Sequence, residues 1–341
     1  MWKPVRVLAF ALAASASVLG CAGAVTHATV TVAGRWYDGV KWVPCSWTGD
    51  ARTDLAVGRA ASAEALSVAV SDGRVYVAGH WMDGVRSVPC YWTEGKWTDL
   101  QGDGAHAADA LSIAVVDGDV YVAGSWNDGT KSIPCYWTAA GRTDLQGDGV
   151  HDAFAYAIAV AGGTVYTAGF WHDGTRMTPC YWVGAERADL PGDGTHAANA
   201  LSIAVADGSV YTAGSWSDGT KSVPCYWTGA VRTDLAGDGV HSAEARSIAL
   251  SEGSVYTAGR RNDGTKWIPC YWQGKSLTDL AGDGAHDARA LSIVVAGGTV
   301  YAAGYWSNGS RDTPCYWAGT ARTDLLAGGP GWAISIALGP E

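Results

Sequence analysis

Short apolar runs separated by turns of aspartate and glycine fill the chain from about residue 28 onward. The runs are rich in β-branched and aromatic residues, and many of them end at an Asp-Gly dipeptide. Such runs predict β-strands, and Asp-Gly between two runs predicts a tight hairpin turn. A representative stretch contains four runs in succession, at residues 201–205, 210–216, 221–228 and 231–235. The pattern therefore predicts units of four short antiparallel strands.

This four-strand unit recurs at a fixed spacing of 45 residues. Close variants of the motif Val-Pro-Cys-Tyr-Trp mark the third strand of each unit. The cysteine of this motif returns at Cys45, Cys90, Cys135, Cys180, Cys225, Cys270 and Cys315. Repeats of roughly 40–50 residues are typical of propellers, in which each repeat forms one blade. We therefore predict an all-β, seven-bladed β-propeller with four antiparallel strands per blade.

The two ends of the repeat region predict how the ring closes. Residues 28–32 align with the second strand of the representative unit, and no clear first strand precedes them. Residues 334–338 match the first strand, although they follow the last complete unit. We therefore expect the C-terminal strand to complete the first blade, so that residues 28–341 form a single propeller. Closure would remove the exposed strand edges of an open array.

Composition and charge narrow the classes of partner. The chain has 46 glycines and 18 tryptophans but 3 phenylalanines, which fits tight turns between aromatic-rich strands. Its formal net charge is -10 at pH 7. Nucleic acids and anionic lipid headgroups are bound by basic surfaces, so neither is an expected partner.

The first residues lie outside the repeat and predict export. Residues 1–20 combine a positive start, at Lys3 and Arg6, with a mostly apolar run over residues 7–19. This run is too short to span a bilayer, and the arrangement is typical of a signal peptide. We therefore expect the protein to be exported to the bacterial cell envelope or secreted.

The segment of residues 21–27 after the signal offers two ways of processing. The sequence Val-Leu-Gly-Cys ending at Cys21 resembles a bacterial lipobox, in which the cysteine is acylated and becomes the mature N-terminus. Cleavage after Ala24, at another small-residue site, would instead release a secreted protein. The first interpretation predicts a membrane contact through the lipid anchor alone, in a lipoprotein of the cell envelope.

Two interpretations apply to the seven repeated cysteines. They could form disulfides or a metal site, or they could be buried free thiols that pack as small apolar side chains. Equivalent positions in a seven-bladed ring lie roughly 10–14 Å apart, beyond the ~7 Å Cα separation that a disulfide allows. The motif also lacks the close Cys/His spacing of a zinc site. Buried thiols are therefore expected, with no metal and no cofactor.

A loop of sequence Gly-Asp-Gly-x-His follows the fourth strand in five units. By strand order, it lies on the same face as the Asp-Gly hairpins. This pattern resembles the WD40 arrangement, although the Trp-Asp dipeptide itself is absent. The resemblance implies that the loop histidine, the hairpin aspartate and the third-strand tryptophan form a stabilising network. Cation binding and acid–base catalysis remain open alternatives. The network residues are His106, His151, His196, His241, His286, Asp83, Asp128, Asp173, Asp218 and Asp263.

Two further sets of residues are candidates for ligand binding. A second tryptophan ends the second strand in six units, where it could stack on a sugar ring or pack between blades. Three units break the repeat at the same rim: the sixth has Arg260-Arg261, the second has His80 and the fourth has His172. The two arginines suggest an anionic contact, with sequence drift as the alternative. The candidate binding residues are Arg260, Arg261, His172, His80, Trp81, Trp126, Trp171 and Trp216.

From about residue 28 the chain resembles bacterial exported propellers built from recently duplicated blades. This resemblance implies an architecture but no activity, because propellers have many unrelated functions. Familiar catalytic motifs are absent from the sequence, and we assign no catalytic residue. We therefore expect a non-enzymatic cell-envelope scaffold that binds a protein or glycan on the face of the Asp-Gly loops. The alternatives are a polysaccharide hydrolase or lyase, and a purely structural envelope protein.

Overall fold

A computed structural model describes residues 29–58 and 62–340 of the chain. Within these residues it contains 28 strands in seven sheets of four strands each. Neighbouring strands of each sheet pair antiparallel. The same part of the chain contains no helix with the length and apolar character needed to span a membrane.

Each sheet is one blade. Blade 1 consists of β28 (Gly331–Gly339), β1 (Thr29–Tyr37), β2 (Trp42–Thr48) and β3 (Ala51–Asp54). Blade 2 consists of β4 (Ala63–Ser71), β5 (Arg74–Met82), β6 (Ser87–Thr93) and β7 (Lys96–Asp99). Blade 3 consists of β8 (Ala108–Val116), β9 (Asp119–Asn127), β10 (Ser132–Thr138) and β11 (Gly141–Asp144). Blade 4 consists of β12 (Ala153–Ala161), β13 (Thr164–His172), β14 (Met177–Val183) and β15 (Glu186–Asp189). Blade 5 consists of β16 (Ala198–Ala206), β17 (Ser209–Ser217), β18 (Ser222–Thr228) and β19 (Val231–Asp234). Blade 6 consists of β20 (Ala243–Ser251), β21 (Ser254–Asn262), β22 (Trp267–Gln273) and β23 (Ser276–Asp279). Blade 7 consists of β24 (Ala288–Ala296), β25 (Thr299–Ser307), β26 (Asp312–Ala318) and β27 (Ala321–Asp324).

The first strands of the seven blades contact one another in a closed ring, from β4 through β28 and back to β4. They therefore line the central channel. This architecture confirms the predicted seven-bladed propeller of four-stranded blades. The interblade loops and the hairpins between second and third strands lie at one end of the channel, and we call this end the loop face.

The third strand of each blade supplies the centre of the core. In blade 5, Trp227 and Cys225 are completely buried in one cluster, on the same side of β18 because side chains alternate along a strand. The indole Nε1 of Trp227 donates a hydrogen bond of 2.9 Å to the carbonyl of Pro191 in the preceding interblade loop. Each blade repeats this bond, so the core ring also anchors the loop. The equivalent tryptophans are Trp47, Trp92, Trp137, Trp182, Trp272 and Trp317.

The seven repeated cysteines are buried free thiols, as expected. Desolvation by burial raises the pKa of each thiol well above its ordinary value. The thiolate is the reactive form of cysteine, so these side chains are inert packing groups. Cys21 lies outside the described residues.

The C-terminal strand closes the ring. β28 pairs antiparallel with β1 from Thr29↔Gly339 to Trp36↔Gly331, which confirms the predicted completion of blade 1. Ile334 and Ile336 of β28 are at most 1% exposed. The amide of Val68, in blade 2, donates to the hydroxyl of Ser335 at 3.1 Å, so β28 is also joined to the following blade.

A bulge in every first strand fills the channel. In blade 5 the pairing with β17 shifts between Ala200 and Ser202, and Leu201 is the extra residue. Equivalent residues from blades 7, 1, 2 and 3 belong to one hydrophobic cluster, so they converge across the axis. We call these residues the channel plug: Leu66, Leu111, Tyr156, Leu201, Arg246, Leu291 and Ile334.

A ring of serines next to the plug joins the first strands of adjacent blades. Ser202 accepts a hydrogen bond from the amide of Ile248 in the next blade at 3.1 Å. The same bond is made by Ser67, Ser112, Ser247, Ser292 and Ser335. Blade 4 has Ala157 at this position. The amide of Ile203, the equivalent residue of blade 5, therefore has no serine hydroxyl to donate to.

We expect Ala157→Ser to stabilise the protein by about 1 kcal/mol, because it supplies the missing acceptor to a buried amide. The shift of the urea unfolding midpoint measures this change. Ala155→Ser is the matched control, since Ala155 is equally buried in the same strand but lies outside the serine ring. The control should destabilise by about 1–3 kcal/mol, because its hydroxyl is buried without a partner. Equal destabilisation by both substitutions would contradict the serine ring.

Candidate functional site

The repeated histidines hold their own loops. His106 Nδ1 lies 2.6 Å from Asp103 Oδ2, and Asp103 Oδ1 accepts the amides of Ala105 and His106 at 2.8 Å. These hydrogen bonds, of which the one with the imidazole has the largest effect, hold the pKa of Asp103 well below its ordinary value. The same 2.6 Å contact occurs in the other four loops, at His151, His196, His241 and His286.

The hairpin aspartates hold a different turn. Asp128 Oδ1 accepts the amides of Thr130 and Lys131 at 2.8 and 2.9 Å, together with the Thr130 hydroxyl at 2.6 Å. The equivalent aspartates Asp83, Asp173, Asp218 and Asp263 cap their hairpins in the same way. The loop histidine packs against the hairpin of the following blade, where a Cβ added at Gly129 would lie 2.9 Å from His106 Nε2.

The His–Asp–Trp network expected from the WD40 resemblance is therefore wrong, because none of the three side chains binds another of the three. The histidine binds an aspartate of its own loop, the hairpin aspartate binds its own turn, and the third-strand tryptophan binds a backbone carbonyl. Three separate sets of hydrogen bonds replace one continuous network. Among the described residues, no three His, Cys, Asp or Glu side chains are grouped as a metal site would require.

The second-strand tryptophans are built into the blades. Trp126 Nε1 donates to Asp144 at 2.9 Å, and the guanidinium carbon of Arg142 lies 3.8 Å from the centre of a Trp126 ring. Arg142 also pairs with Asp144 at 2.8 Å. Trp171 and Trp216 make the same three-residue cluster. The arginine covers one face of each indole and the rings also pack against the blade cores, so these three tryptophans are structural groups rather than open platforms for a sugar.

Blade 2 varies this cluster. Trp81 Nε1 donates to Asp99 at 2.8 Å, but Trp97 occupies the position of the arginine. Trp81 is half-buried and packs against the core of its blade. It has a structural role like that of its equivalents.

Two of the predicted binding residues are engaged away from the channel. Arg261 replaces the tryptophan in blade 6 and forms two hydrogen bonds, of 2.8 and 2.6 Å, with Asp279 on the outermost strand. His172 accepts the amide of Gly174 at 3.1 Å, and its ring centre lies 6.1 Å from that of His151 in the interblade loop. Arg260, Arg261 and His172 therefore do not converge at the channel, as an active site of the hydrolase or lyase alternative built on them would require.

The residues that differ most between blades meet at the loop-face end of the channel. In every blade the second residue of the first strand pairs with the seventh residue of the second strand. These pairs, which we call the channel mouth, are Trp332–Arg35, Glu64–His80, Asp109–Ser125, Phe154–Phe170, Asn199–Ser215, Glu244–Arg260 and Arg289–Tyr305. The plug residues follow the first-strand members by two positions, so the plug forms the floor of the mouth.

Blade 6 contributes a charged cluster to the mouth. Glu244 accepts hydrogen bonds from Arg260 at 2.9 Å and from Arg246 of the plug at 2.6 Å. Burial opposes ionisation of Glu244, but the two arginines outweigh it and lower its pKa to about 2. Arg260 is 8% exposed, and its guanidinium carbon lies 3.9 Å from the centre of a Trp267 ring. The cluster is therefore ionised at neutral pH, with two guanidiniums on one carboxylate.

Blades 1 and 7 contribute a stack of aromatic rings and guanidiniums. Arg35 lies between Trp42 and Trp332, at 4.6 and 4.4 Å from the ring centres. Trp332 stacks in turn on Tyr305, with 5.1 Å between centres, and Arg289 lies 5.6 Å from the Tyr305 ring. Such cation–π contacts fix the orientation of the charged groups. The stack places Arg289 at the mouth in a set position.

The other blades contribute aromatic, neutral and paired charged residues to the mouth. In blade 4, Phe154 and Phe170 contact each other with 5.4 Å between ring centres. In blade 5, the side-chain oxygen of Asn199 accepts the Ser215 hydroxyl at 3.4 Å. On the far side of the ring, His80 Nδ1 lies 3.3 Å from Asp109 Oδ1, and Arg35 pairs with Glu64. The mouth is thus asymmetric, with arginines on blades 1, 6 and 7, carboxylates on blades 2, 3 and 6, and apolar or neutral residues on blades 4 and 5.

Sequence reasoning found His80 and Arg260 in this site but missed the other members. The signal was present, because Arg35, His80, Ser125, Phe170, Ser215, Arg260 and Tyr305 are spaced 45 residues apart and are nearly all different. A position that varies within a set of otherwise similar repeats is where the ring loses its symmetry.

Comparison with known proteins shows the fold. No protein-family model matches this sequence, and curated protein sequences give no significant match. The β-propeller domain of the Trilobed protease from Pyrococcus furiosus, which is described as having an open velcro topology, matches 89% of this chain and 97% of its own. The TM-score is 0.50 and the sequence identity is 10%. The computationally designed Ika8 protein covers 76% of this chain and 72% of its own, with a TM-score of 0.43 and 18% identity. The chain is a seven-bladed β-propeller whose blades are tandem repeats.

Proposed function

We propose that this propeller is an exported, non-enzymatic scaffold that binds a glycan or protein ligand at the channel mouth on its loop face. The observation that carries the proposal is the division of the loop face into two kinds of residue. The repeated His, Asp and Trp side chains are engaged in hydrogen bonds that hold loops and blade edges. The residues that vary between blades are concentrated at the mouth. Binding one ligand requires asymmetry, and the mouth supplies it.

Export and anchoring belong to the same proposal. They rest on the signal-like sequence of residues 1–20 and on Cys21 in a lipobox-like context, which lie outside the described residues. An acylated Cys21 would hold the propeller at a membrane of the cell envelope, and cleavage after Ala24 would release it. Mass spectrometry of the mature N-terminus distinguishes the two.

The carboxylate of blade 6 is a poor candidate for the catalysis that a polysaccharide hydrolase or lyase would need. A general acid or base works best when its pKa is near the working pH. The carboxylate of the mouth that lies beside Arg260 is Glu244, whose pKa of about 2 leaves it ionised and weakly basic at neutral pH. This group is suited to holding arginines rather than to transferring protons.

A blocked mouth tests the proposal. Asn199→Trp should fold, because the equivalent position carries Phe154 in blade 4 and Trp332 in blade 1. We expect it to weaken binding at least tenfold, since the larger ring fills the mouth. Glycan arrays and pull-downs from envelope extracts identify a ligand, and titration then measures its Kd for each variant.

The matched control is Val231→Trp, at an exposed position beside a turn on the opposite face. It should bind as the unmodified protein does. Equal binding by both variants would place the ligand elsewhere. Absence of any ligand in the arrays and the pull-downs would leave the scaffold proposal without support.

A further inference from the structure

We infer that the channel mouth binds the carboxylate of an acidic sugar residue, with Arg289 as its principal contact. This inference rests on the proposed binding function and names the class of ligand. It starts from an imbalance of charge. The mouth and its plug hold four arginines, Arg35, Arg246, Arg260 and Arg289, against the carboxylates of Glu64, Asp109 and Glu244.

Arg289 is the arginine whose charge is not neutralised. Arg35 pairs with Glu64, and Arg246 and Arg260 share Glu244. Arg289 forms no ion pair with any residue that the structure describes, and its Nε is buried without a hydrogen-bond partner. The nearby carboxylate of Asp312 accepts the indole of Trp332 at 2.8 Å. An incoming carboxylate would therefore supply the counter-charge that Arg289 lacks.

The position of Arg289 suits this role. Its guanidinium lies against Tyr305, which is held by Trp332, so little side-chain freedom is lost when an anion binds. Burial lowers the pKa of Arg260, Glu244 opposes this shift, and the charges of Arg246 and Arg289 add to it. The three guanidiniums are therefore close enough to affect one another. A planar guanidinium presents a fork of donors that matches a carboxylate.

The surroundings favour a sugar over a peptide or a flat protein surface. The plug closes the channel below the mouth, so the mouth accepts a group of limited depth. On the other side of the mouth, Phe154 offers an aromatic edge and Asn199 with Ser215 offers an amide and a hydroxyl. Apolar ring faces, hydroxyl groups and one carboxylate are the features of a uronic acid residue. The overall charge of -10 repels anions elsewhere, so attraction must be local to this site.

The test compares two probes that differ in the carboxylate alone. An oligogalacturonide and its carboxyl-reduced, uncharged counterpart are titrated against the full chain. We expect the acidic oligomer to bind about 10- to 100-fold more tightly, which is the usual effect of a charge-assisted hydrogen bond. Added salt should reduce this difference.

Arg289→Gln should remove the preference for the acidic probe, and Arg289→Lys should restore part of it, because lysine keeps the charge without the fork. Arg322→Gln is the matched control. Arg322 belongs to the same blade but is held by Asp324 and Trp306 away from the mouth, so the preference should remain. Unchanged melting temperatures confirm that the variants are folded.

Each remaining outcome separates the two proposals. Equal binding of both probes, blocked by Asn199→Trp, would overturn the acidic-sugar inference and keep the scaffold function. Binding restricted to sulfated or phosphorylated glycans, or to peptides with a free C-terminus, would also overturn the inference. A preference that survives Arg289→Gln would exclude Arg289 as the contact. No binding by any probe or extract would remove support from the scaffold proposal itself.

Discussion

A chain that stops at Pro330 is expected to lose the single cooperative unfolding transition of the propeller. The truncation removes β28, which pairs with β1 along its length and packs between β24 and β4. It takes away the buried Ile334 and Ile336 and the half-buried Trp332 and Leu338. At about 1.5–3 kcal/mol for each buried side chain and about half that for each half-buried one, the loss is roughly 4–9 kcal/mol. A domain is stable by about 5–15 kcal/mol in total, so little stability would remain.

Two further losses accompany the missing side chains. Without β28, the inner edge of β1 has unpaired backbone groups, and such an edge is a site for aggregation. The amides of Val68 and Ile336 take part in the serine ring through this strand, so the ring is broken between blades 7 and 2. Differential scanning calorimetry and size-exclusion chromatography measure the result, as a broad or absent transition and a larger apparent size.

A chain that ends at Gly339 is the control, because it lacks just Pro340 and Glu341, which follow β28. It should unfold as the full chain does. A truncated chain that kept a sharp transition within a few degrees of the control would show that the other six blades hold the ring without this strand.

The fold could be predicted from the sequence because the repeat is strict. The 45-residue spacing of Cys225 and its equivalents fixed the number of blades, and the match of residues 334–338 to a first strand indicated the closure. Both signals come from comparing the chain with itself, so no contact between distant residues had to be guessed.

The hydrogen bonds of the loop face could not be predicted in the same way. The sequence shows that each unit has one loop histidine and two aspartates within reach, but it does not show which carboxylate the imidazole meets. The loop conformation decides this. In the structure, Asp103 contacts His106 three residues later, so the imidazole has a partner within its own loop, whereas Asp128 accepts amides of its own hairpin.

The sequence predicted part of the candidate site. Arg260 and His80 stood out because charged residues interrupt a regular pattern, whereas Phe154 and Tyr305 resemble ordinary core residues. Their common location follows from strand pairing inside each blade and from the ring order of the blades. The stack from Trp42 to Arg289 joins residues from both ends of the chain. These residues come together because β28 pairs with β1 and closes the ring.

Gly214→Ala is expected to destabilise the protein by at least ~3 kcal/mol, more than other glycine substitutions in the same blade. Gly214 lies in β17 opposite the bulge of β16, where the two backbones come close together. A Cβ built there would lie 2.9 Å from the carbonyl carbon of Asn199 and would overlap its oxygen. The clash is with backbone, which cannot rotate away as a side chain can. The same glycine occurs at Gly34, Gly79, Gly124, Gly169, Gly259 and Gly304.

Two controls separate this clash from the usual effects of replacing glycine. Gly237→Ala adds a methyl group with no heavy atom within 4 Å, and it should change stability by less than about 0.5 kcal/mol. Gly208→Ala has equal room, but its φ of +72° makes an L-residue cost about 1–2 kcal/mol. Urea unfolding should therefore rank Gly214→Ala as the most damaging, then Gly208→Ala, then Gly237→Ala.

The same substitution should also affect the channel mouth. Relief of the clash requires the first strand to move away from the second at Asn199, whose partner Ser215 follows Gly214 directly. We therefore expect any folded fraction of Gly214→Ala to bind ligand more weakly than Gly208→Ala does. If Gly214→Ala were no more destabilising than Gly208→Ala, the close approach of the two strands at the bulge would be contradicted, and with it the position assigned to the blade 5 side of the mouth.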